Sequence, residues 1–208
     1  MSTKWIKWSY NNFMKIGVLL YSGCVFYEVA AATELMSHFG SVDYFTPDGR
    51  EIRMSNGVLI RPQGSYEEME SVQFSCVLIP GGNPDSIVIS GSATAPLIRV
   101  ASSGAVIGGI CAGVLVMASA GLLKGVRATH NYTIEHAPIE VVEFTAKLWK
   151  GMEFVRADVV ADGKFVTAQP WASVQFAAMV AQTVGAMSED EAKNYIQRQK
   201  YTYDNNRQ

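Results

Sequence analysis

Cys111 is the residue in this sequence whose neighbours best fit reactive chemistry. It ends an apolar run that is typical of a buried parallel strand, and a stretch that predicts a helix follows directly. Gly108 and Gly109 precede it, and Ala112 and Gly113 follow it, so only small residues crowd the turn. Such a turn presents a side chain in strained, exposed geometry, and the amides at a helix start stabilise a thiolate. We therefore expect Cys111 to be a nucleophile with a depressed pKa, although a free cysteine in a strand commonly just packs.

Glu28 and His130 are the two ionisable side chains that could assist this thiol. Glu28 opens the first predicted helix, directly after the first predicted strand, and loops that follow parallel strands converge on one crevice. A carboxyl beside a thiolate should have a raised pKa, so Glu28 could hold or pass a proton. His130 ends a short predicted strand and could act as a general base. The alternatives are ordinary helix-dipole pairing for Glu28 and a surface position for His130.

Gly82 and Ala112 could present backbone N–H groups to a developing oxyanion. The alternative for the first is that it belongs only to a tight Pro-Gly-Gly turn. Cys24 could line the pocket, be a second oxidisable thiol or simply pack, and Trp171 could form a pocket wall or pack at the surface. The cysteines and histidines are too sparse and irregularly spaced for a structural zinc site, so we predict neither metal nor cofactor. The candidates for lining the pocket are Cys24, Asn83, Asn131 and Trp171.

The elements that must position these residues follow an alternating pattern. A strand at 15–21, a helix at 27–38 and a strand at 42–46 form a βαβ unit, which implies a parallel sheet. We predict an α/β fold, a flavodoxin-like sandwich in which a mostly parallel sheet carries helices on both faces. The later predicted elements are a hairpin or excursion at 51–66, a helical turn at 66–69, strands at 76–79, 105–110 and 126–129, helices at 93–102 and 137–148, a hairpin of 154–160 with 164–168, a helix at 174–184 and a last helix ending near 200.

Length and composition restrict the class of protein. A chain of 208 residues suits one domain, here 1–208, with an N-terminal extension at 1–13 and a C-terminal helical tail at 187–208. A net charge of −2 gives no electrostatic reason to bind nucleic acid or an anionic membrane, and no apolar run is long enough to span one. We expect a cytoplasmic protein, because the sequence shows no signal core and its three cysteines form no disulfide pattern.

Two motifs resemble the DJ-1/PfpI (ThiJ) family, of the class I glutamine amidotransferase-like superfamily. They are residues 110–113 (Ile-Cys-Ala-Gly) and residues 77–83 (Val-Leu-Ile-Pro-Gly-Gly-Asn), and the resemblance covers roughly residues 15–185. It implies that Glu28 lies beside the cysteine and that His130 is the family's histidine near the nucleophile.

Three positions depart from the family's patterns. Ala112 stands where the PfpI-type branch has histidine, which favours the DJ-1-like branch over a peptidase. Asn131 stands where DJ-1 commonly has proline, and residues 169–171 (Gln-Pro-Trp) replace a frequent Arg-Gly-Pro.

The resemblance implies a cysteine-dependent enzyme that acts on small reactive carbonyls, by glyoxalase- or deglycase-type chemistry on 2-oxoaldehydes. One alternative is an amidase, hydratase or PfpI-like peptidase that uses the same thiol. Another is a stress-protective redox sensor in which Cys111 is oxidised to a sulfinic acid without turnover. The expected partners are a small-molecule substrate and, from the family, a second copy in a homodimer.

Overall fold

The computed structural model describes residues 13–204, so the predicted extension at 1–13 lies almost wholly outside the described residues. The strands are β1 (Met14–Leu19), β2 (Gly40–Thr46), β3 (Ile52–Arg53), β4 (Leu59–Ile60), β5 (Gly64–Ser65), β6 (Cys76–Ile79), β7 (Val106–Ile110), β8 (Arg127–Ala128), β9 (Glu153–Phe154), β10 (Val159–Asp162) and β11 (Phe165–Ala168). The α-helices are α1 (Tyr27–Ser37), α2 (Asp85–Ser90), α3 (Thr94–Ser102), α4 (Gly113–Ser119), α5 (Ile139–Thr145), α6 (Ser173–Thr183) and α7 (Glu189–Asp204). Two short 3-10 helices cover Glu68–Ser71 and Ala146–Trp149.

Seven strands form the main sheet, in the order β10-β11-β7-β6-β1-β2-β5. Every pair in it is parallel except β10 with β11, which is an antiparallel hairpin. Strands β6 and β7 lie at its centre and are buried along their whole length, as their continuous apolar sequences predict. The predicted α/β fold with a mostly parallel sheet is confirmed.

Adjacent glycines in β7 show that helices cover both faces of the sheet. A Cβ atom on Gly108 would meet Phe176 and Val180 of α6, whereas one on Gly109 would meet Met117 of α4. Since successive strand residues point to opposite faces, α6 and α4 lie on opposite sides of β7. The glycines let both helices pack directly on the strand that leads to Cys111.

Several predicted elements differ in the structure. The predicted helix at 137–148 is split into α5 and a 3-10 helix, and α2 was not predicted at all. The predicted hairpin strand at 154–160 is wrong in its first half, because β9 pairs with β8 in a separate two-stranded sheet. The antiparallel hairpin begins only at Val159.

A capping box begins the predicted last helix. The Ser188 hydroxyl accepts the amide hydrogen of Glu191 at 3.3 Å, and the Glu191 carboxylate accepts the amide hydrogen of Ser188 at 2.8 Å. These bonds start α7. Among residues 13–204, no helix is both long and apolar enough to cross a membrane.

Candidate active site

Cys111 occupies a strained turn between β7 and α4. Its φ is +55°, and it is the only non-glycine residue among residues 13–204 with a positive φ. Its amide donates to the Ala168 carbonyl at 3.0 Å, which extends the pairing of β7 with β11 up to the turn. The chain then enters α4 directly after Ala112. Left-handed backbone at a residue with a side chain costs free energy and is concentrated at functional sites, so this is the sharp turn that the small residues predict.

Glu28 lies beside Cys111, buried in the first turn of α1 with 3% of its surface exposed. Its Oε2 accepts the Gly81 amide hydrogen at 2.7 Å, and its carboxyl hydrogen-bonds the Cys111 thiol. A Cβ atom on Gly81 would stand 2.5 Å from Glu28 Oε2 and 2.7 Å from Cys111 Sγ. Glycine is therefore required at position 81 for the carboxyl and the thiol to meet.

The ionisation of this pair differs from the expected depression of the Cys111 pKa. Burial, together with the adjoining Glu28 carboxylate, raises the pKa of Cys111 to about 12. Burial also raises the pKa of Glu28, as expected, although the Gly81 amide and the Cys111 thiol act in the opposite direction. The Cys111 thiolate and the Glu28 carboxylate are thus both disfavoured, and the two side chains together retain one proton.

Two backbone N–H groups contact the sulfur of Cys111. The N–H groups of Ala112 and Gly82 donate to Cys111 Sγ and favour its thiolate. Gly82 has a φ of +114°, and a Cβ atom there would lie 2.8 Å from Cys24 Cα, so its backbone can take this position only as glycine. The Tyr21 hydroxyl donates to the Pro80 carbonyl at 2.9 Å and holds the same loop. The predicted pair of oxyanion donors is thus placed at the thiol.

His130 is buried in an aromatic cluster. Its ring stacks on Trp149 with centroids 4.0 Å apart, and Phe154 lies at 4.9 Å. Its Nδ1 accepts the Tyr132 amide hydrogen at 3.1 Å, so the neutral ring carries its proton on Nε2. Burial lowers the pKa of His130 to about 4. This arrangement favours a neutral hydrogen-bond donor over the expected general base.

Gln169 holds His130 in place, although it was predicted only as a departure from the family pattern. Its Nε2 donates to Thr129 Oγ1 at 2.8 Å and to the His130 carbonyl at 3.0 Å. It follows β11, whose last residue accepts the Cys111 amide, so one strand end supports both the turn and the histidine loop. The predicted pocket residue Asn131 lies in that loop with its Oδ1 buried.

A cleft opens beside the thiol and contains a residue that sequence reasoning missed. Its volume is about 720 Å³, and its lining includes Gly82, Tyr132 and the predicted Asn83. Burial raises the pKa of the Tyr132 hydroxyl, and the nearby charges of Cys111, Asp85 and Glu28 add to this effect. Only its position two residues after His130 could have drawn attention to it.

Two predicted pocket residues have other roles. Cys24 is fully buried, its thiol donates to Met54 Sδ at 3.4 Å, and burial raises its pKa to about 11. Its backbone packs against Gly82 and so supports the loop that carries the Gly82 amide. Trp171 is half-exposed, donates to Asp158 at 2.8 Å and does not line the cleft that contains Gly82. Residues 13–204 contain no group of three His, Cys, Asp or Glu side chains suited to a metal ion.

Comparison with known proteins gives a consistent result. The model of the DJ-1/PfpI family matches residues 14–183. A deglycase of Thermococcus kodakarensis is 26% identical over 120 residues, which is 57% of this chain and 67% of that protein. Deglycase PfpI of Pyrococcus furiosus is 24% identical over 115 residues, 55% of this chain and 64% of that protein. The matched region thus spans about two thirds of these relatives.

Solved structures share the fold at low sequence identity. DJ-1beta of Drosophila melanogaster superposes with a TM-score of 0.73 at 22% identity, over 89% of this chain and 97% of that one. A ThiJ/PfpI family protein of Pseudomonas syringae gives 0.75 at 19% identity, over 97% and 80% of the two chains. At these identities the likeness concerns the fold alone.

Proposed function

The chain belongs to the DJ-1/PfpI family, and from that premise we propose that it is a cysteine-dependent enzyme acting on small reactive carbonyls, of the glyoxalase or deglycase type. The observation that carries this proposal is the buried contact between the Cys111 thiol and the Glu28 carboxyl at a strained turn. A thiol, a proton carrier and two amide donors are the groups that addition to an aldehyde needs.

The first step forms a hemithioacetal. The Cys111 thiol gives its proton to Glu28, and the sulfur forms a bond to the aldehyde carbon of a 2-oxoaldehyde. The carbonyl π electrons move to oxygen, which is stabilised by the amides of Gly82 and Ala112 and then receives the proton. The amides that favour the thiolate in the free protein lie next to where this oxygen would form.

The second step moves hydrogen within the substrate and releases the product. Ionised Glu28 takes the proton from the carbon bonded to sulfur, and the neighbouring carbonyl carbon receives one in its place, while the hydroxyl proton passes to the neighbouring oxygen. The result is a thioester of a 2-hydroxy acid, so no external oxidant or reductant is used. Water then cleaves the carbon–sulfur bond and restores the thiol. Neutral His130 assists as a hydrogen-bond donor.

The test is the conversion of methylglyoxal to lactate by the wild type and by Cys111→Ser. We expect turnover by the wild type and none by the variant. Cys76→Ala is the matched control, because Cys76 is a fully buried thiol in β6 whose pKa burial raises to about 12. Equal turnover by Cys111→Ser would refute the proposal. A parallel screen of small amides and isonitriles examines the amidase and hydratase alternative.

Redox sensing is the second candidate, and one observation favours it. Three donors can converge on the Cys111 sulfur, namely the Ala112 and Gly82 amides and a protonated Glu28, and the same donors would stabilise a sulfinate. This candidate predicts stoichiometric oxidation of Cys111 by peroxide without turnover of any carbonyl. Intact-mass analysis after peroxide treatment, beside the methylglyoxal assay, separates the two functions.

A further inference from the structure

The cleft lies next to the reacting groups, although neither Cys111 nor Glu28 is among its lining residues. Gly82, whose amide donates to the thiol sulfur, forms part of its wall, as does Tyr132. Leu115, one turn into α4 from Cys111, also lines it. A substrate whose carbonyl lies against the sulfur can therefore extend directly into the cleft.

The lining of the cleft is largely apolar, and its three charged residues are exposed. Helices α2, α4 and α5 form the lining, together with the 3-10 helix that follows α5. The apolar side chains are Val88, Ile89, Leu115, Val141, Phe144 and Leu148. The charged residues Asp85, Glu140 and Lys147 are solvent-exposed.

Two of the apolar side chains are largely exposed to solvent. Ile89 is 79% exposed and Phe144 is 72% exposed, and they contribute to the same cleft from different helices. Contiguous exposed apolar surface commonly marks a binding site. The volume of about 720 Å³ falls in the range of pockets that hold drug-sized ligands, whereas methylglyoxal has only three carbon atoms.

From these observations we infer that the substrate is an electrophile with an apolar arm, of the size of a hexyl chain or a phenyl ring, and that the arm occupies this cleft. The inference rests on the proposed function for the reacting carbonyl, and it names the class of substituent that the carbonyl carries. A simple methyl group would leave Ile89 and Phe144 in water.

Burial of the arm should appear as selectivity. Each methylene group that leaves water is worth about a fourfold gain in an equilibrium constant. If half of a hexyl chain is buried in this open cleft, the gain is roughly 60-fold over a reagent without the chain.

Alkylation of Cys111 measures this gain without requiring turnover. We would compare iodoacetamide with N-hexyl-iodoacetamide, determine the rate at Cys111 by mass spectrometry, and normalise each rate to that of free N-acetylcysteine. Sulfur displaces iodide in both reactions, so the chain is the only difference. We expect a normalised preference of about 60-fold for the hexyl reagent in the wild type. The same proteins would then be assayed for turnover of methylglyoxal and of 2-oxooctanal.

The variant Ile89→Ser/Phe144→Ser removes apolar surface that α2 and α5 contribute to the cleft, and both positions are largely exposed, so the substitutions remove little buried surface. It should lose at least tenfold of the hexyl preference. Ile98→Ser is the matched control, because Ile98 is an exposed residue of α3 outside the cleft, and it should keep the preference.

The outcomes separate this inference from the proposed function. A hexyl preference that depends on Ile89 and Phe144 supports the inference even if no aldehyde is turned over. The absence of turnover would refute only the proposed function. Turnover of methylglyoxal with no preference for the hexyl reagent or for 2-oxooctanal overturns the inference and leaves the proposed function standing. A hexyl preference that survives in the double variant also overturns the inference. So does a failure of both reagents to alkylate Cys111 because a second copy closes the cleft.

Discussion

Replacing Glu28 with glutamine isolates the proton of the reactive pair. In the structure, Glu28 accepts the Gly81 amide hydrogen and hydrogen-bonds the Cys111 thiol. The glutamine amide can reproduce both contacts, since its oxygen accepts from Gly81 and its NH₂ group donates to the sulfur. The substitution therefore removes the charge and the transferable proton while it preserves shape.

The expected size of the effect follows from the geometry at Gly81. The distances from its Cβ position place Glu28 Oε2 and Cys111 Sγ within about 5 Å of each other. Two unit charges at about 4 to 5 Å repel by roughly 3 to 4 kcal/mol at an effective dielectric constant of about 20. Since 1.36 kcal/mol corresponds to one pH unit, Glu28→Gln should lower the pKa of Cys111 by about two to three pH units.

Two assays measure separately the effect of the Glu28 charge and the transfer of the Glu28 proton. Thiolate absorbance and iodoacetamide labelling against pH, with Cys111→Ser as the blank, report the pKa of Cys111, and turnover reports proton transfer. We expect Glu28→Gln to form thiolate at lower pH than the wild type and to lose about 100-fold or more in turnover, as is typical when an acid–base group is removed. Glu34→Gln is the matched control, because it makes the same change at an exposed position of α1.

Two results would refute this reasoning. Full turnover by Glu28→Gln would mean that Glu28 does not carry the proton. An unchanged pKa of Cys111 together with intact turnover would mean that the two side chains do not interact in solution.

Three further predictions concern the loop, the histidine and the assembly. Gly81→Ala should abolish turnover and cost about 1 to 3 kcal/mol of stability, because its Cβ would collide with Glu28 and Cys111; near wild-type kinetics and an unchanged denaturation midpoint would contradict this. Burial lowers the pKa of His130 to about 4, so the stability that this neutral residue contributes is fully present above pH 6.5, and about 3 kcal/mol of the unfolding free energy should be lost as the pH falls from 6.5 to 4. His130→Gln should flatten this part of the plot of unfolding free energy against pH, measured by urea titration, and an equally steep plot would contradict the prediction. Light scattering at micromolar concentration should give twice the chain mass of 22.7 kDa, as the family resemblance implies, and a monomer mass would count against a homodimer.

The fold was largely predictable because its signals are local. Continuous apolar runs marked the central strands β6 and β7, and their alternation with helical stretches implied the parallel sheet. The split of the predicted helix at 137–148 and the pairing of β9 with β8 were not predictable, since both depend on contacts between distant segments. Phe154 of β9 pairs with Ala128 of β8 and also packs on the ring of His130, and neither contact has a local signature.

The site was predictable only where backbone geometry dictates residue type. Cys111 and the glycines around it were evident because the turn tolerates nothing larger, and Glu28 followed from its place after β1. The ionisation state was not evident, because the Cys111 pKa depends on the depth of burial and on the Glu28 charge. Nor could the sequence reveal that the His130 ring accepts a backbone hydrogen bond from Tyr132, which decides its tautomer.

The shape of the site bears on the choice between enzyme and redox sensor. Both uses need the contact between Cys111 and Glu28, and both benefit from the amides of Gly82 and Ala112, so these four residues cannot discriminate between them. Peroxide is small and polar, and its reaction with a thiol gains nothing from apolar surface. A cleft of about 720 Å³ that includes Gly82 and an exposed Phe144 offers apolar surface that a larger organic molecule, but not peroxide, can cover. The cleft, more than the reactive pair, therefore favours catalysis on an organic electrophile.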